Sequence, residues 1–133
     1  MKTEKYEIII GIIEGYDPDA DSLSVRPDIS LKDMCILYQN ISQKNPIQYV
    51  SGVIDQVVTV YSKEWGSPKG GELCYRITCQ RNPIFDDDPQ RFKEAVIYNT
   101  KVLKNKLKQK TVTITINDVD LVYLTGEQTI DVL

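Results

Sequence analysis

A chain of 133 residues with 41% apolar and 26% charged residues has enough apolar content for a real core beneath a solvated surface. Its formal charge of -3 gives no global attraction to nucleic acid or anionic lipid, and the lack of any histidine removes the commonest neutral-pH acid–base residue and much of zinc chemistry. No run approaches the roughly 18 consecutive apolar residues of a membrane span, so the expectation is a single cytoplasmic domain over residues 1–133 with no membrane contact.

Met1 to Lys5 leads straight into a periodic strand, without a signal peptide's separate apolar region. In that strand, Lys5 to Ile13, Ile8, Ile10 and Ile12 share one face while Ile9 and Ile13 share the other. Both faces are thus apolar, which suits a central strand with helices on one side and another subunit on the other. Gly11 reads as a local bend, or as a point where backbone or ligand comes close.

In the following loop, Asp17, Asp19, Asp21 and Asp28 occupy ligand positions of a calcium loop. Ser22 replaces the turn glycine and Asp28 the usual terminal Glu, so the loop reads as a solvated turn and no metal site is assigned. Ser30 and Asp33 form a capping box for a helix whose apolar stripe is Leu31, Met34, Leu37, Tyr38 and Ile41. Asn45-Pro46 ends it.

Ile47 to Tyr61 contains the second strand, its alternation running from Val50 with a bulge or twist at Gly52, and Leu73 to Gln80 is the third, paired with it as a hairpin. Cys74 and Cys79 differ by an odd number and take opposite faces. With Cys35 they make an odd count without metal spacing, so all three read as free, mostly buried thiols. Asp88 and Pro89 cap a long helix with Phe92, Ala95, Val96, Asn99, Leu103 and Leu107 inward. Lysines in its C-terminal half suit the dipole better than they suit a polyanion. Thr111 to Ile116 alternates as another strand, continued by Val119 to Leu124 either as a hairpin across Asn117-Asp118 or as one bulged strand. An apolar tail, Thr129 to Leu133, closes the chain and could add to a neighbouring sheet edge.

The order strand, helix, two strands, helix, strand predicts an α+β, ferredoxin-like split βαβ sandwich. Its antiparallel sheet has two helices on one face and an extra C-terminal strand or hairpin. The uncovered apolar face predicts a homo-oligomer joined through the sheet face or edge.

The least ordinary stretch is the loop between the second and third strands. It holds the only tryptophan and three of the seven glycines. Tyr61 and Trp65 offer stacking surfaces; Lys63, Lys69 and Arg76 offer charged donors. Gly70 and Gly71 let backbone approach a ligand, and Glu72 balances the charge. The Trp65 indole either packs back on the sheet or walls a recess. With no phosphate-loop motif and no nucleophile–base pair, the chain reads first as a non-catalytic binding or regulatory protein for a small anionic metabolite or nucleotide, needing no cofactor. The alternatives are a structural, partner-binding accessory subunit of phage or mobile-element type, and a small lyase or isomerase using Tyr61, Glu72 or Cys74 as acid or base.

Overall fold

The computed structural model of the chain describes residues 1–13 and 29–126. Elements run in the order β1 (Lys2–Gly11), α1 (Leu31–Gln43), β2 (Val53–Thr59), β3 (Glu72–Gln80), α2 (Pro89–Lys106) and β4 (Thr113–Asp120), with a short 3-10 turn at Lys63–Trp65. The four strands form one sheet in the order β2-β3-β1-β4, every neighbouring pair antiparallel. This is the ferredoxin-like split βαβ arrangement. The aspartate loop from Asp17 to Asp28 and the tail from Thr129 to Leu133 lie outside the described residues.

The period-two alternation of the strands decides the two faces. Tyr6, Ile8 and Ile10 of β1 share the helix-covered face with Tyr75, Ile77 and Cys79 of β3, and all are buried. Met34, Tyr38 and Ile41 of α1, and Phe92, Ala95, Val96 and Leu103 of α2, complete that core. Both helices start where their caps put them. Ser30 Oγ accepts from Asp33 N at 3.1 Å, and Asp88 Oδ1 accepts from Arg91 N at 3.0 Å, with Pro89 at the first helical position.

A polar network inside the core ties the helices to the segment before β2. Asn99, fully buried on α2, donates to Ser42 Oγ of α1 at 3.2 Å and accepts from Asn45 Nδ2 at 3.0 Å. Ser42 Oγ in turn accepts from Val50 N at 2.7 Å, and Tyr38 OH donates to Val50 O at 2.8 Å. Burial pushes the Tyr38 phenol far above its ordinary range and raises the neighbouring Cys79 thiol. These bonds correct the expected second strand. The backbone N–H groups of Ile47 and Val50 donate to the side chains of Asn45 and Ser42 rather than to a ladder, and β2 begins only at Val53. Gly52 is a close approach and not a bulge: a Cβ there would come within 3.1 Å of Ile77 and 3.2 Å of the Tyr38 ring.

Of the two forms expected for the C-terminal run, the structure has the single continued strand, without its bulge. Lys2↔Asp120 through Ile9↔Thr113 pair in one unbroken register, so Asn117-Asp118 is neither a hairpin turn nor a bulge. Pairing along this length carries β1 back to Lys2, and the terminal ammonium of Met1 reaches Leu121 O at 2.8 Å.

At this same end of β1, Arg81 is only 6% exposed and makes a two-pronged pair with Glu4, Nε to Oε2 at 2.7 Å and Nη2 to Oε1 at 3.1 Å. The hydrogen bonds from Arg81 hold the Glu4 carboxyl below the usual carboxylate range. A carboxylate whose folded value is depressed stabilises the fold above its unfolded value, near pH ~4.3, and loses that contribution as pH falls through the lower value. Glu4→Gln should therefore destabilise at pH 7 by about 2 kcal/mol and flatten the acid limb of a stability–pH curve. Urea melts between pH 2 and 7 check both.

Asn99→Leu, which keeps the branched outline but adds volume and removes the polar atoms, should cost at least about 2–3 kcal/mol because Ser42 and Asn45 lose a partner in a buried site. Its urea midpoint should fall with an unchanged slope.

Candidate functional site

The sheet face away from the helices carries the alternate residues of each strand. Registration places Ile9 opposite Arg76, Gly11 opposite Cys74, Val57 opposite Cys74 and Thr59 opposite Glu72. At the end of the sheet where β1 and β2 finish and β3 and β4 begin, these residues floor a recess of about 780 Å³. Tyr61 and Trp65 wall it on one side, and residues 109–113 on the other. That volume lies in the range of roughly 300–1,000 Å³ usual for ligand sites.

Four of the eight residues singled out by sequence, Tyr61, Trp65, Glu72 and Arg76, line this recess. The other four, Lys63, Lys69, Gly70 and Gly71, line an adjoining hollow of about 500 Å³ that shares Val60 and Tyr61 with the first. The Trp65 indole does not pack into the core: at 79% exposed it is a wall. Its position follows from local chemistry. Ser62 Oγ accepts from Glu64 N at 3.2 Å, and Gly66 ends the turn in the left-handed region at φ 95°. Gly71, at φ 110° and against Val58 and the Thr59 carbonyl, lets the chain re-enter the sheet as β3.

Glu72 is held from two sides. Tyr61 OH donates to its Oε2 at 3.0 Å, while Oε1 lies over Gly11, inside the space a Cβ would fill. The absent side chain at Gly11 is thus a close approach, the second of the two expected readings, and its neighbour is a carboxylate. Gln109, which sequence did not single out, lies beside it. Its Oε1 would be 2.8 Å from the same Cβ, and its Nε2 donates to Ile13 O at 2.9 Å and Leu107 O at 3.0 Å. Gln109 lies in the connection from α2 to β4, and the pairing of β4 with β1 brings it to Gly11; no sequence motif marks it.

Arg76 is not offered to an anion. Its Nε and Nη2 meet Asp55 Oδ1 and Oδ2 at 3.1 and 2.6 Å, and Nη1 lies 3.6 Å from Glu7 Oε1. The expected anionic ligand therefore loses its best-placed cation. Cys74, on the recess floor, is a thiol whose value is pushed up by burial, offset in part by a hydrogen bond from Thr59 Oγ1 at 3.5 Å. Burial thus favours its thiol over its thiolate form. Cys79 is buried on the core face, and Cys35 is exposed. Among the described residues no group of three or more acidic or cysteine side chains is set to hold a metal, and no helix is long and apolar enough to cross a membrane.

The recess on the open face of the split βαβ sheet thus has the size, aromatic walls and positioned carboxylate that a small-molecule site uses. The SAM lyase family model matches residues 1–125, and the chain belongs to that family. Two solved structures share the fold. A phage SAM lyase in its apo state aligns with TM-score 0.59 at 14% identity, over 96% of this chain and 93% of that one. A phage SAM lyase in complex with S-methyl-5'-thioadenosine aligns with TM-score 0.55 at 18% identity, over 96% and 92%. Comparison with curated proteins gives no match. Family membership overturns the reading of the chain as a non-catalytic binder or regulator, since the family is one of enzymes; the lyase alternative is the better one.

The close approach at Gly11 has a measurable consequence. Gly11→Ala should cost about 1–3 kcal/mol through overpacking against Glu72. In the Glu72→Ala background the same change should cost far less, a coupling of at least about 0.5 kcal/mol in a denaturation double-mutant cycle.

Proposed function

We propose that the protein is a lyase acting on S-adenosylmethionine and releasing S-methyl-5'-thioadenosine, with the recess on the open sheet face as its site. The observation that carries this reading is that the family match over residues 1–125 spans every residue lining the recess. The chemistry of the lining agrees. The substrate has a planar adenine, a sulfonium and an α-ammonium; Tyr61 and Trp65 offer faces for stacking and for a cation, and Glu72 offers the opposite charge.

Release of the thioether breaks the bond between sulfur and the γ-carbon of the amino-acid chain. Attack on that carbon by the substrate's own carboxylate would complete the step. One C–O bond forms, the C–S pair returns to sulfur, and a five-membered lactone leaves with no proton to move. Opposite charges vanish as this proceeds, so weakly polar surroundings favour it. Ile9, Val57, Val60 and Val112 supply them. The protein's work is then to fold the amino-acid chain, to exclude water and to hold the two cationic centres. Lys63, Lys69, Gly70 and Gly71 belong to the outer part of the same binding region, and Arg76, neutralised by Asp55, shapes the floor.

Purified protein mixed with S-adenosylmethionine should yield methylthioadenosine and a lactone in equal amounts by mass spectrometry at early times. Absence of methylthioadenosine would defeat the proposal. Trp65→Ala should lower kcat/KM about tenfold or more, a loss of about 1.4 kcal/mol. Because the indole is mostly exposed, its melting temperature should barely move.

The open face also supports association of copies of the chain. Val53 is 71% exposed on the same face as the half-buried Ile9 and Val57, and covering such a surface is worth about 25 cal/mol per Å². Light scattering after size exclusion should give a multiple of 15.2 kDa. A 15.2 kDa species at every concentration would refute association.

A further inference from the structure

We propose that the hollow lined by Lys63 and Lys69 is a phosphate subsite, through which adenosine 5'-polyphosphates bind across the mouth of the recess and compete with the substrate. The inference rests on the reading of the recess as the S-adenosylmethionine site and adds a regulatory ligand to that lyase site. Three observations carry it. First, the recess of about 780 Å³ and the hollow of about 500 Å³ adjoin, sharing Val60 and Tyr61. Second, charge is sorted between them. The recess holds the Glu72 carboxylate, and its Arg76 is matched by Asp55. The hollow is lined by two lysines and no acid. Lys63 and Lys69 are exposed, and neither makes an ion pair among the described residues. Third, part of the hollow's surface is main chain without side chains. Gly70 and Gly71 turn there at φ 82° and 110°, which leaves room for a bulky anion close to the backbone.

Nothing in the proposed reaction uses these lysines. The substrate's one anionic group, its carboxylate, is drawn to its own γ-carbon, and its other charges are positive. Two unmatched lysines repel a sulfonium and an ammonium. A ligand that satisfies both cavities has an adenosine for Tyr61 and Trp65 and several negative charges on the 5' side. The 5' carbon bears sulfur in S-adenosylmethionine and the first phosphate in ADP and ATP. With the base stacked in one place, the substrate's arm turns toward Glu72 and a phosphate arm toward Lys63 and Lys69. Lysine serves phosphate as a mobile point charge, which suits an exposed loop. A nucleotide so held cannot react, because it has neither a sulfonium carbon to attack nor a thioether to release. The lyase would then slow as the adenine nucleotide concentration rises.

The test uses ATP, adenosine and inorganic pyrophosphate as probes, in magnesium-free buffer at low salt so that the phosphates keep their charge. Calorimetry on the parent should show ATP bound about tenfold or more tighter than adenosine or pyrophosphate, with the margin shrinking as salt is raised. Lys63→Ala combined with Lys69→Ala should weaken ATP about tenfold or more and leave adenosine within about twofold of the parent. Lys63→Arg combined with Lys69→Arg should retain ATP, which separates charge from a change in the loop. In the lyase assay, ATP should raise KM for S-adenosylmethionine and leave kcat unchanged. Equal affinity of the parent for ATP and adenosine would overturn the subsite. Equal loss of adenosine in the alanine variant would make the lysines props of the loop and overturn it as well. Pyrophosphate bound as tightly as ATP, or inhibition that lowers kcat at saturating substrate, would place the anion outside the shared site and defeat the proposal. If no methylthioadenosine forms, the proposed function fails, and the calorimetric comparison still decides the subsite by itself.

Discussion

The pairing of β1 with β3 at the centre of the sheet is the constraint on which the rest of the molecule depends. Its register, Ile8 opposite Ile77 and Gly11 opposite Cys74, fixes which side chains enter the helix-covered core and which face away. A slip by one residue would exchange the two sets completely. Tyr6, Ile8 and Ile10 would leave the core, and Gly11 would no longer lie beneath the Glu72 carboxylate. The site and the core are thus two faces of one decision. Stability of the core enforces the geometry of the recess without any residue of the recess having to be stabilising itself.

The buried polar network does a different job. Asn99, Ser42, Asn45 and Tyr38 satisfy one another and the Val50 backbone, in a region where an unmet polar group costs about 1–3 kcal/mol. Hydrogen bonds are directional, so this network sets the angle at which α1 and α2 meet the chain before β2 more narrowly than apolar packing could. The position of β2, and through it Val57, Thr59 and Tyr61 on the recess, follows from that angle.

The recess itself is economical in ionisable chemistry. Arg76 is matched by Asp55 and Glu7, and burial favours the thiol form of Cys74. Glu72, positioned by Tyr61 and a glycine, is the carboxylate turned into the space over Gly11. Such a site is poorly equipped for proton transfer through histidine or thiolate. It is well suited to a reaction in which the substrate supplies both nucleophile and leaving group. That agrees with membership of a lyase family and with a sequence lacking histidine.

Period and capping were legible from sequence because they are local. The faces of β1 and β3, the stripe Phe92 to Leu107, the caps Ser30 and Asp88, and the split βαβ order all follow from spacing along the chain. One wall of the candidate recess was legible for the same reason: turn glycines flanking a tryptophan mark a loop that must project. Three things were not. Whether Asn117-Asp118 turned or continued depended on β1 being long enough to pair across it. Whether 47–52 was strand depended on Asn45 and Ser42 claiming its backbone bonds. And the pairing of Glu72 with Gln109 over Gly11 joins residues far apart in the chain, whose meeting is decided by register and helix placement. Sequence determines what each segment can form and which side it must bury. Only the tertiary structure decides which polar atoms meet, because hydrogen bonds between distant segments have no period to announce them.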